Sequence, residues 1–363
     1  MDKRKTMQGQ QNFSEADLTG MLNLQAVETE RLFEAAASVR SETLGNRVYF
    51  RGLVEFSNRC AKNCLYCGIR RGNRQVLRYE LTDTEVLDAC RLAWKKRLGS
   101  VVLQSGERSS PAFVHRVDRL LRAIKKMSRG ELGITLSCGE QTTETYRKWF
   151  GSGAHRYLLR MESSDPALYA AVHPRDRQHQ YARRLECLQA LRVCGYQVGT
   201  GVMIGLPGQR AEQLARDLLF IRDIDADMVG MGPYVEHEQT PLYGFRQRLL
   251  PGKERLELSL RMLALLRLLM PDINMAATTA LQALHPQGRE MALKAGANVL
   301  MPNLTPAAYR EDYLLYENKP RPLQDPHTEI RALEACACTA GMEAAYDVWG
   351  DSPHFFRRTR SDI

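Results

Sequence analysis

Short β-branched or apolar runs alternate with amphipathic helical stretches along most of this 363-residue sequence. The alternation predicts an α/β fold. Eight such strands can be counted between Val48 and Met301, which is the number in a closed barrel, whereas open doubly wound sheets usually stop at about five or six. We therefore predict a complete (β/α)8 TIM-type barrel with an N-terminal helical lead-in and a C-terminal helical extension.

The domain limits follow from where this alternation starts and stops. Residues 1–46 form the lead-in, because apolar residues recur there at helical spacing and Ser14 is placed to cap the first helix. Residues 47–313 form the barrel. Residues 314–363 form the extension, in which prolines precede a helical run to about Ala345 that we expect to pack outside the barrel or to cross its mouth.

Within the barrel, each strand is a short β-branched or apolar run, and each helix is bounded by Thr, Asp, Pro or Gly. The predicted strands are Val48–Glu55, Val101–Gln104, Gly133–Ser137, Tyr157–Met161, Gln197–Ile204, Asp227–Met231, Asn274–Ala277 and Asn298–Met301. The predicted helices are Thr84–Lys96, Pro111–Lys126, Thr142–Trp149, Arg183–Val193, Arg210–Ile224, Lys253–Leu269 and Gly288–Ala295.

The composition excludes several classes of protein. With 44% hydrophobic and 26% charged residues the chain has material for a large core, so it is not disordered, collagenous or stapled by disulfides. Its longest apolar runs, such as Met262–Met270, fall well short of the ~18 residues that a membrane-spanning helix needs. No export signal is visible, and the nine cysteines are an odd number. We expect a cytoplasmic protein with reduced thiols and no membrane partner.

The net charge of +9 fits either a nucleic acid or a small anionic substrate. The charged residues at the two ends, within Lys3–Lys5 and Arg357–Arg360, are interpreted as solvated tails. Arg51, Arg160 and Arg310 lie in or beside apolar segments, where a solvated face explains them less well. Because no RNA-binding motif is present, we expect a small anionic substrate and no nucleic-acid partner.

The most informative motif is Cys60-Ala-Lys-Asn-Cys64-Leu-Tyr-Cys67, which directly follows the first predicted strand. Three thiolates this close together can bind three irons of a [4Fe–4S] cube and leave one iron open to a non-protein ligand. A structural zinc site needs a closed tetrahedral ligand set, which this sequence does not complete. Buried free thiols are the remaining alternative. We predict one [4Fe–4S] cluster held by the three cysteines.

The spacing CxxxCxxC, with Tyr66 just before the third cysteine, resembles that of the radical S-adenosylmethionine (SAM) superfamily. In that superfamily the open iron binds the amino and carboxylate groups of SAM, and the reduced cluster cleaves the sulfonium to give a 5′-deoxyadenosyl radical. The resemblance implies an enzyme that uses both cofactors. It also implies that SAM is contacted by residues around the cluster: Tyr66, Gln104, Ser105, Gly106, Glu107, Ser137, Arg160, Glu162 and Arg184.

Three groups of these residues stand at the ends of elements. Gln104-Ser-Gly-Glu107 ends the second strand, where the superfamily has a short Gly-Glu motif that holds the SAM ammonium group. Arg160 and Glu162 are two apart on the fourth strand, so their side chains should face each other at the barrel mouth, and a purely structural salt bridge is the alternative. Arg184 opens the next helix and is a candidate partner for the SAM carboxylate, or else a surface arginine.

A wider set of strings, spread over the whole predicted barrel, resembles the HydE family of FeFe-hydrogenase maturases. The barrels of biotin synthase and methylornithine synthase are related, and a radical mutase or sulfur-inserting enzyme is the alternative reading. The strings are EFSNRCAKNCLYCGIRRGN (Glu55–Asn73), VLQSGE (Val102–Glu107), RYLLR (Arg156–Arg160), IGLPGQ (Ile204–Gln209), DMVGMGP (Asp227–Pro233), AATTA (Ala276–Ala280) and GANVLMPNLTPAAYR (Gly296–Arg310).

This resemblance implies that the radical acts on sulfur of a small anionic, cysteine-ligated iron complex. It implies other hydrogenase maturation proteins and an electron donor as partners. Ordinary β-propensity accounts for the threonine pair equally well, and core packing for the methionine, so only the whole set favours a substrate site. The implied substrate contacts are Arg51, Thr135, Thr278, Thr279, Met301, Arg310 and Tyr313.

One departure from the family concerns the C-terminal extension. Several maturases bind a second cluster through three cysteines after the last strand, but residues 314–335 contain none here, and only Cys336 and Cys338 follow on a predicted helix. Residues two apart on a helix point about 200° apart, so we predict no second cluster. The other cysteines are expected to be small buried hydrophobes: Cys90, Cys138, Cys187 and Cys194.

Overall fold

The computed structural model describes residues 12–320 and 325–361. The charged positions Lys3–Lys5 and the tail proline Pro322 lie outside the described residues. The strands of the described part are β1 (Arg47–Ser57), β2 (Ser100–Ser105), β3 (Gly133–Ser137), β4 (Arg156–Leu158), β5 (Gln197–Thr200), β6 (Met203–Ile204), β7 (Met228–Val229), β8 (Gly232–Pro233), β9 (Asn274–Met275), β10 (Val299–Leu300) and β11 (Glu343–Ala345).

A 3₁₀ helix covers Pro241–Arg248. The α-helices of the described part are α1 (Glu15–Leu22), α2 (Ala26–Leu44), α3 (Asp83–Lys95), α4 (Pro111–Met127), α5 (Thr143–Gly151), α6 (Pro166–Val172), α7 (Tyr181–Val193), α8 (Ala211–Asp223), α9 (Gly252–Leu269), α10 (Thr279–Leu284), α11 (Gly288–Lys294), α12 (Ala307–Arg310), α13 (Pro326–Thr339) and α14 (Pro353–Ser361). Every predicted strand and barrel helix is present, and the predicted strand Gln197–Ile204 is divided into β5 and β6.

Eight parallel strands form one curled sheet in the order β10–β1–β2–β3–β4–β5–β7–β9. The register places Leu103 of β2 between Val54 of β1 and Leu136 of β3. At the two ends of this order, β9 and β10 share one isolated bridge, between Ala276 and Val299. The predicted strand number is therefore confirmed, but the fully closed barrel is wrong, because β9 and β10 contain only two residues each and do not form a ladder with each other.

Several helices begin where the sequence supplies a side-chain acceptor for their first free N–H groups. The Ser14 hydroxyl accepts from the Asp17 amide at the start of α1, and the Thr82 hydroxyl accepts from the Glu85 amide at the start of α3. In both cases the acidic residue bonds back to the capping residue. The predicted cap at Ser14 is confirmed.

The lead-in packs on the outside of the sheet's helical layer. Helix α1 lies against α8 and α2 lies against α9. Leu18 and Leu22 of α1 are buried, and Arg261 of α9 donates to the Leu22 carbonyl at 3.1 Å. None of the helices within the described ranges is both long enough and apolar enough to cross a membrane.

The C-terminal extension closes the end of the sheet opposite the cysteine loop. Residues 346–352 pass beneath the amino-terminal ends of the strands, where the fully buried Arg156 donates to the Trp349 carbonyl (2.8 Å) and to the Asp351 carboxylate (2.7 Å). Gly350 between them has a φ of 65°, and a Cβ there would lie 2.5 Å from the Tyr49 ring. Only glycine fits this left-handed, crowded position.

Two predicted substrate residues belong to this closed end and not to the mouth. Arg51 donates to the Gly350 carbonyl at 3.0 Å, and the Thr135 hydroxyl accepts from Arg156 at 2.9 Å. Arg51 precedes the last residue of β1 by six positions, which is about 20 Å along a strand. Alternation along a strand predicts the direction of a side chain but not how near it lies to the mouth of the sheet. The positions of Arg51 and Thr135 therefore do not support the predicted substrate contacts.

Arg358 of the last helix is not solvated, contrary to the prediction, whereas Arg357 and Arg360 are exposed, as predicted. Arg358 pairs with the fully buried Asp227 at 2.9 Å, and Arg357 pairs with Asp272 at 3.1 Å. His354 lies between Asp225 (2.7 Å) and Asp272 (3.0 Å). These carboxylates follow α8 and α9, so the end of the chain is tied to the barrel by ion pairs that no local pattern shows.

His354 should make the stability of the fold depend on pH. Burial opposes its protonated form, but the two carboxylates outweigh burial and raise the pKa of His354 to about 9. Because the pKa is raised on folding, the stabilisation is complete below about pH 6.5 and is lost as the pH rises through 9. We expect the free energy of unfolding, measured with urea, to fall by about 3 kcal/mol more in the wild type than in His354→Gln between pH 6.5 and 9.5.

The comparison with His354→Gln removes a confounding group. Burial and the charge of Arg156 lower the pKa of Lys125 to about 8, so this lysine titrates in the same range. It is present in both proteins, and its contribution cancels in the difference. Parallel pH profiles for the two proteins would contradict the assignment.

Candidate active site

The carboxyl ends of the strands surround one large cavity of about 630 Å³. The cysteine loop forms one wall, the ends of β2, β3 and β4 form the next, and the segments after β8, β9 and β10 form the opposite side. Helix α13 completes the wall with Leu333 and Cys336. The extension therefore contributes to the mouth of the cavity, as one of the two predicted arrangements had it.

Cys60, Cys64 and Cys67 all line this cavity and are partly exposed. Burial raises the pKa of each thiol, to about 12 for Cys64. Thiolates at these positions therefore need a strongly bound cation to exist at neutral pH. No three His, Cys, Asp or Glu side chains of the described residues surround a single metal-ion position. This donor set fits a cluster, whose irons are bound at separate corners, better than one ion.

The cysteine loop is attached to the end of β2 by its backbone. The Ala61 amide donates to the Glu107 carbonyl at 2.8 Å, and the Gly106 amide donates to the Ser57 carbonyl at 2.9 Å. A Cβ on Gly106 would lie 2.6 Å from the Arg59 carbonyl oxygen and 2.8 Å from the Cys60 Cβ. Glycine is required here because the two backbones touch, which explains the Gly-Glu pair at this strand end.

A buried group of charges connects the loop to β2, β3 and α7. The Lys62 ammonium lies 3.1 Å from Glu107 and 2.8 Å from Glu140, and Arg184 contacts the other oxygen of Glu140 at 2.5 Å. Burial acts to raise the pKa of Glu140, but Arg184 and Lys62 outweigh it and lower that pKa below its usual value. Burial dominates at Glu107 and raises its pKa.

Arg160 and Glu162 meet at the mouth, with 3.1 Å between Nη2 and Oε2. The predicted contact is present, but its cause is different: β4 ends at Leu158, and Glu162 has a φ of 68°, a conformation that is costly for a residue with a Cβ. Arg160 Nε and Glu162 Oε2 are buried and have no hydrogen-bond partner of good geometry. Buried polar atoms left in this way fit a bound polar ligand.

The other predicted SAM contacts also line the cavity: Tyr66, Gln104, Ser105, Gly106, Glu107, Ser137 and Arg184. The Tyr66 hydroxyl lies 3.4 Å from His173 Nε2, and Gln104 donates to the Tyr313 hydroxyl at 3.3 Å. Arg184 also donates to the Arg160 carbonyl at 2.7 Å. The structure thus brings the whole predicted set to one cavity, although Arg184 has protein partners there.

The predicted substrate residues divide into two groups. Thr278, Thr279, Met301 and Tyr313 line the cavity on the side facing the cysteine loop. Arg310 does not, because its side chain is buried against the Thr305 carbonyl, just as Arg51 and Thr135 lie at the opposite end of the sheet. Arg51, Thr135 and Arg310 therefore lie in or beside apolar segments because they are buried within the fold, and not because they face the cavity.

Several charged cavity residues escape a reading of the sequence. Lys319 donates to Glu55 at 2.8 Å and to the Tyr313 carbonyl at 2.8 Å, and Arg289 donates to the Thr279 hydroxyl at 3.3 Å. Each comes from a segment without a strand or a motif of its own, so spacing gives no signal for them. Lys62 is the exception, because it lies between Cys60 and Cys64, and a lysine inside the cysteine motif is a signal that the sequence does contain.

Arg78 closes the cysteine loop from below. Its guanidinium donates four hydrogen bonds to backbone carbonyls on both sides of the motif, at distances of 2.7–3.0 Å. These carbonyls belong to Asn58, Ile69, Arg70 and Asn73. A planar guanidinium has five N–H donors and can bond all four carbonyls at once, whereas an ammonium has only three. Arg78 is therefore a positioning residue for the three cysteines.

Comparison with known proteins shows which family this chain belongs to. The family model described as "Radical SAM superfamily" matches residues 54–221. Over 291 residues the chain is 44% identical to the [FeFe] hydrogenase maturase subunit HydE of Thermotoga maritima, an alignment that covers 80% of each protein. This chain belongs to the radical SAM superfamily. The radical SAM enzyme accordingly uses SAM and a [4Fe–4S] cluster. Cys60, Cys64 and Cys67 line the cavity and would hold that cluster.

Two further similarities concern methylornithine synthases. The radical SAM enzyme is 28% identical to the 3-methylornithine synthase of Methanosarcina barkeri over 344 residues, which is 94% of this chain and 93% of that one. The crystal structure of a methylornithine synthase superposes with a TM-score of 0.79 at 27% identity, covering 93% of this chain and 95% of that chain.

Replacing Cys60, Cys64 or Cys67 by Ser should abolish both the visible iron–sulfur absorbance and the cleavage of SAM, because a hydroxyl is a poor ligand in a sulfide cluster. The matched control is Cys336→Ser/Cys338→Ser. Cys336 is buried and Cys338 is exposed, on opposite sides of α13. The control should keep about four irons per chain, the value for one cube. Full cluster content in two of the three single variants would refute the assignment.

Arg78→Lys keeps the charge but cannot bond four carbonyls, so the loop should open more readily. Losing two of the bonds at ~1 kcal/mol each predicts roughly thirtyfold faster release of iron to a chelator. Arg116→Lys is the control, since the Arg116 guanidinium also makes several bonds, to the carboxylates of Glu80 and Asp83, but none to the cysteine loop. Equal rates of iron release in both variants would show that Arg78 does not act on the loop.

Proposed function

We propose that this radical SAM enzyme acts in maturation of FeFe hydrogenase, on sulfur of a small anionic, cysteine-ligated iron complex. The observation that carries the proposal is the 44% identity with a HydE maturase along 80% of both chains. The other maturation proteins and an electron donor are the proposed partners. When bound at Cys60, Cys64 and Cys67, the cluster together with SAM supplies a 5′-deoxyadenosyl radical.

On the SAM side of the cavity, the side chains of this protein hold SAM in position and do not transfer protons. Arg160 and Glu162 offer a cation and a carboxylate 3.1 Å apart, which suits a zwitterionic cofactor. Glu107 is presented by the Gly106 turn beside the cysteine loop. Fixed groups of this kind lower the barrier by holding the reacting atoms in position.

On the substrate side, hydroxyls and cations lie together. Thr278 and Thr279 begin α10, Arg289 donates to the Thr279 hydroxyl, and Lys319 stands beside Tyr313 at the same wall. This combination can hydrogen-bond an anionic group within an enclosed space. Helix α13 covers the site with the apolar Leu333, which helps to keep water from a reactive radical.

A second candidate is a radical mutase acting on an amino acid. The superposition with a methylornithine synthase over 93% of the chain favours it, since the two chains share one fold over nearly their whole length. A sulfur-inserting enzyme of the biotin synthase type is a related alternative, supported by 28% identity over 69% of the chain.

The deciding experiment is expression of an FeFe hydrogenase with the other maturases, with and without this protein. We expect an inactive hydrogenase in its absence and an active one in its presence. An active hydrogenase without this protein would reject the proposed function, and the superfamily assignment would be unaffected.

The substrate side is tested by Thr278→Val/Thr279→Val. The substitution keeps the volume and removes two hydroxyls, each a hydrogen bond of ~1.5–3 kcal/mol to an anionic group, so substrate affinity should fall by at least roughly tenfold per hydroxyl. The variant should still cleave SAM slowly without coupling, but should not mature the hydrogenase. Thr143→Val, on the exposed side of α5, is the control. Full maturation by the double variant would reject this substrate site.

A further inference from the structure

An arginine-rich surface surrounds the outer side of the cysteine loop. Six exposed arginines contribute to it from three segments: the cysteine loop, the loop before α7 and the 3₁₀ helix. We call it the cluster-side basic surface, and it consists of Arg71, Arg74, Arg175, Arg177, Arg246 and Arg248.

Hydrogen bonds tie all three segments to the residues between the cysteines. The Leu65 amide donates to the Val172 carbonyl at 3.0 Å, and the Asn63 amide donates to His179 Nε2 at 2.9 Å. The Leu242 amide of the 3₁₀ helix donates to the Leu65 carbonyl at 3.0 Å. The basic surface is therefore rigidly connected to the loop that carries the cluster ligands.

The described part of the chain does not neutralise these six charges. No carboxylate of the described residues forms an ion pair with any of them, whereas several arginines elsewhere are paired, such as Arg116 with Glu80 and Arg216 with Glu15. The acidic side chain among them, Asp176, contacts His179 at 2.6 Å. The surface thus attracts a negatively charged partner with little competition from its own residues.

Apolar side chains stand out on the same side of the molecule. Phe245 is 50% exposed and directly precedes Arg246 in the 3₁₀ helix. Leu77 is 70% exposed, and its carbonyl accepts from Asn58 at the start of the cysteine loop. Exposed apolar groups with charges around them are typical of protein–protein contacts and are not needed to bind a free anion.

We propose that the cluster-side basic surface docks a small acidic protein that carries single electrons. The superfamily chemistry needs one electron for each cleavage of SAM, and the structure places this surface on the outside of the loop that holds the cluster. In the docked complex the carrier is oxidised by one electron and the cluster is reduced by one, with no bond made or broken between the proteins. The proposal rests on the superfamily and is independent of the proposed maturation substrate.

The test uses the anaerobic holoenzyme and a reduced acidic [2Fe–2S] ferredoxin as the probe. Binding is measured by titration calorimetry at low and high salt, and reduction of the cluster is followed separately by its electron paramagnetic resonance signal. Arg74→Glu/Arg177→Glu changes one residue in each of two segments. Arg31→Glu/Arg147→Glu, exposed on α2 and α5, is the matched control.

We expect the wild type and the control to bind the ferredoxin with an affinity that falls as salt is raised. Binding to Arg74→Glu/Arg177→Glu should be weaker by about tenfold or more at low salt. Iron content and SAM cleavage driven by dithionite, a small reductant that needs no docking, should be unchanged in this variant.

Three results would overturn the proposal. The first is unchanged ferredoxin affinity in Arg74→Glu/Arg177→Glu, and the second is an equal loss in the control. The third is tighter binding of a single-stranded RNA oligonucleotide than of the ferredoxin, abolished by the same two substitutions, which would assign the surface to a nucleic acid.

Discussion

The position of Lys62 between two buried carboxylates is the interaction on which the active site depends. Its ammonium connects the cysteine loop to Glu107 after β2 and to Glu140 after β3, and Glu140 in turn holds Arg184 of α7. Removing one member would leave an unpaired charge inside the protein, which is far more costly than losing a surface ion pair. The charges therefore fix the height and direction of the loop, and with it the three cysteines.

The remaining parts of the cavity are placed relative to that loop. Glu162 reaches Arg160 only through a left-handed backbone conformation. The cost of this conformation is tolerated because the Glu162 amide donates to the Gly201 carbonyl and the Glu162 carbonyl accepts from the Met203 amide. The C-terminal extension acts at both ends of the sheet: α13 forms part of the cavity wall, and the segment around Gly350 fills the opposite end. One extension thus supports both the floor and the mouth.

The positive charges of this chain differ in whether they have a partner within the fold. Arginines inside the fold, such as Arg156 and Arg358, are neutralised by Asp351 and Asp227. Other arginines, such as Arg78, donate hydrogen bonds to backbone carbonyl groups. Exposed cations without an ion-pair partner among the described residues include the six arginines around the cysteine loop, but also Arg31 and Arg147 on other faces. A net charge of +9 is therefore a poor guide by itself, since what matters is which charges are compensated.

The sequence by itself determined the order of strands and helices, the caps, the three cysteines and the residues at the ends of β2 and β4, because periodicity and short-range spacing are local properties. Only the tertiary structure decided that the sheet's ladder is incomplete, that Arg51 and Thr135 lie at the closed end, and that Arg310 is buried. Lys319 and Arg289 likewise reach the cavity from segments without a motif. Such contacts join residues far apart in the chain. Where each side chain lies between the closed end and the mouth depends on tertiary packing, which no local pattern encodes.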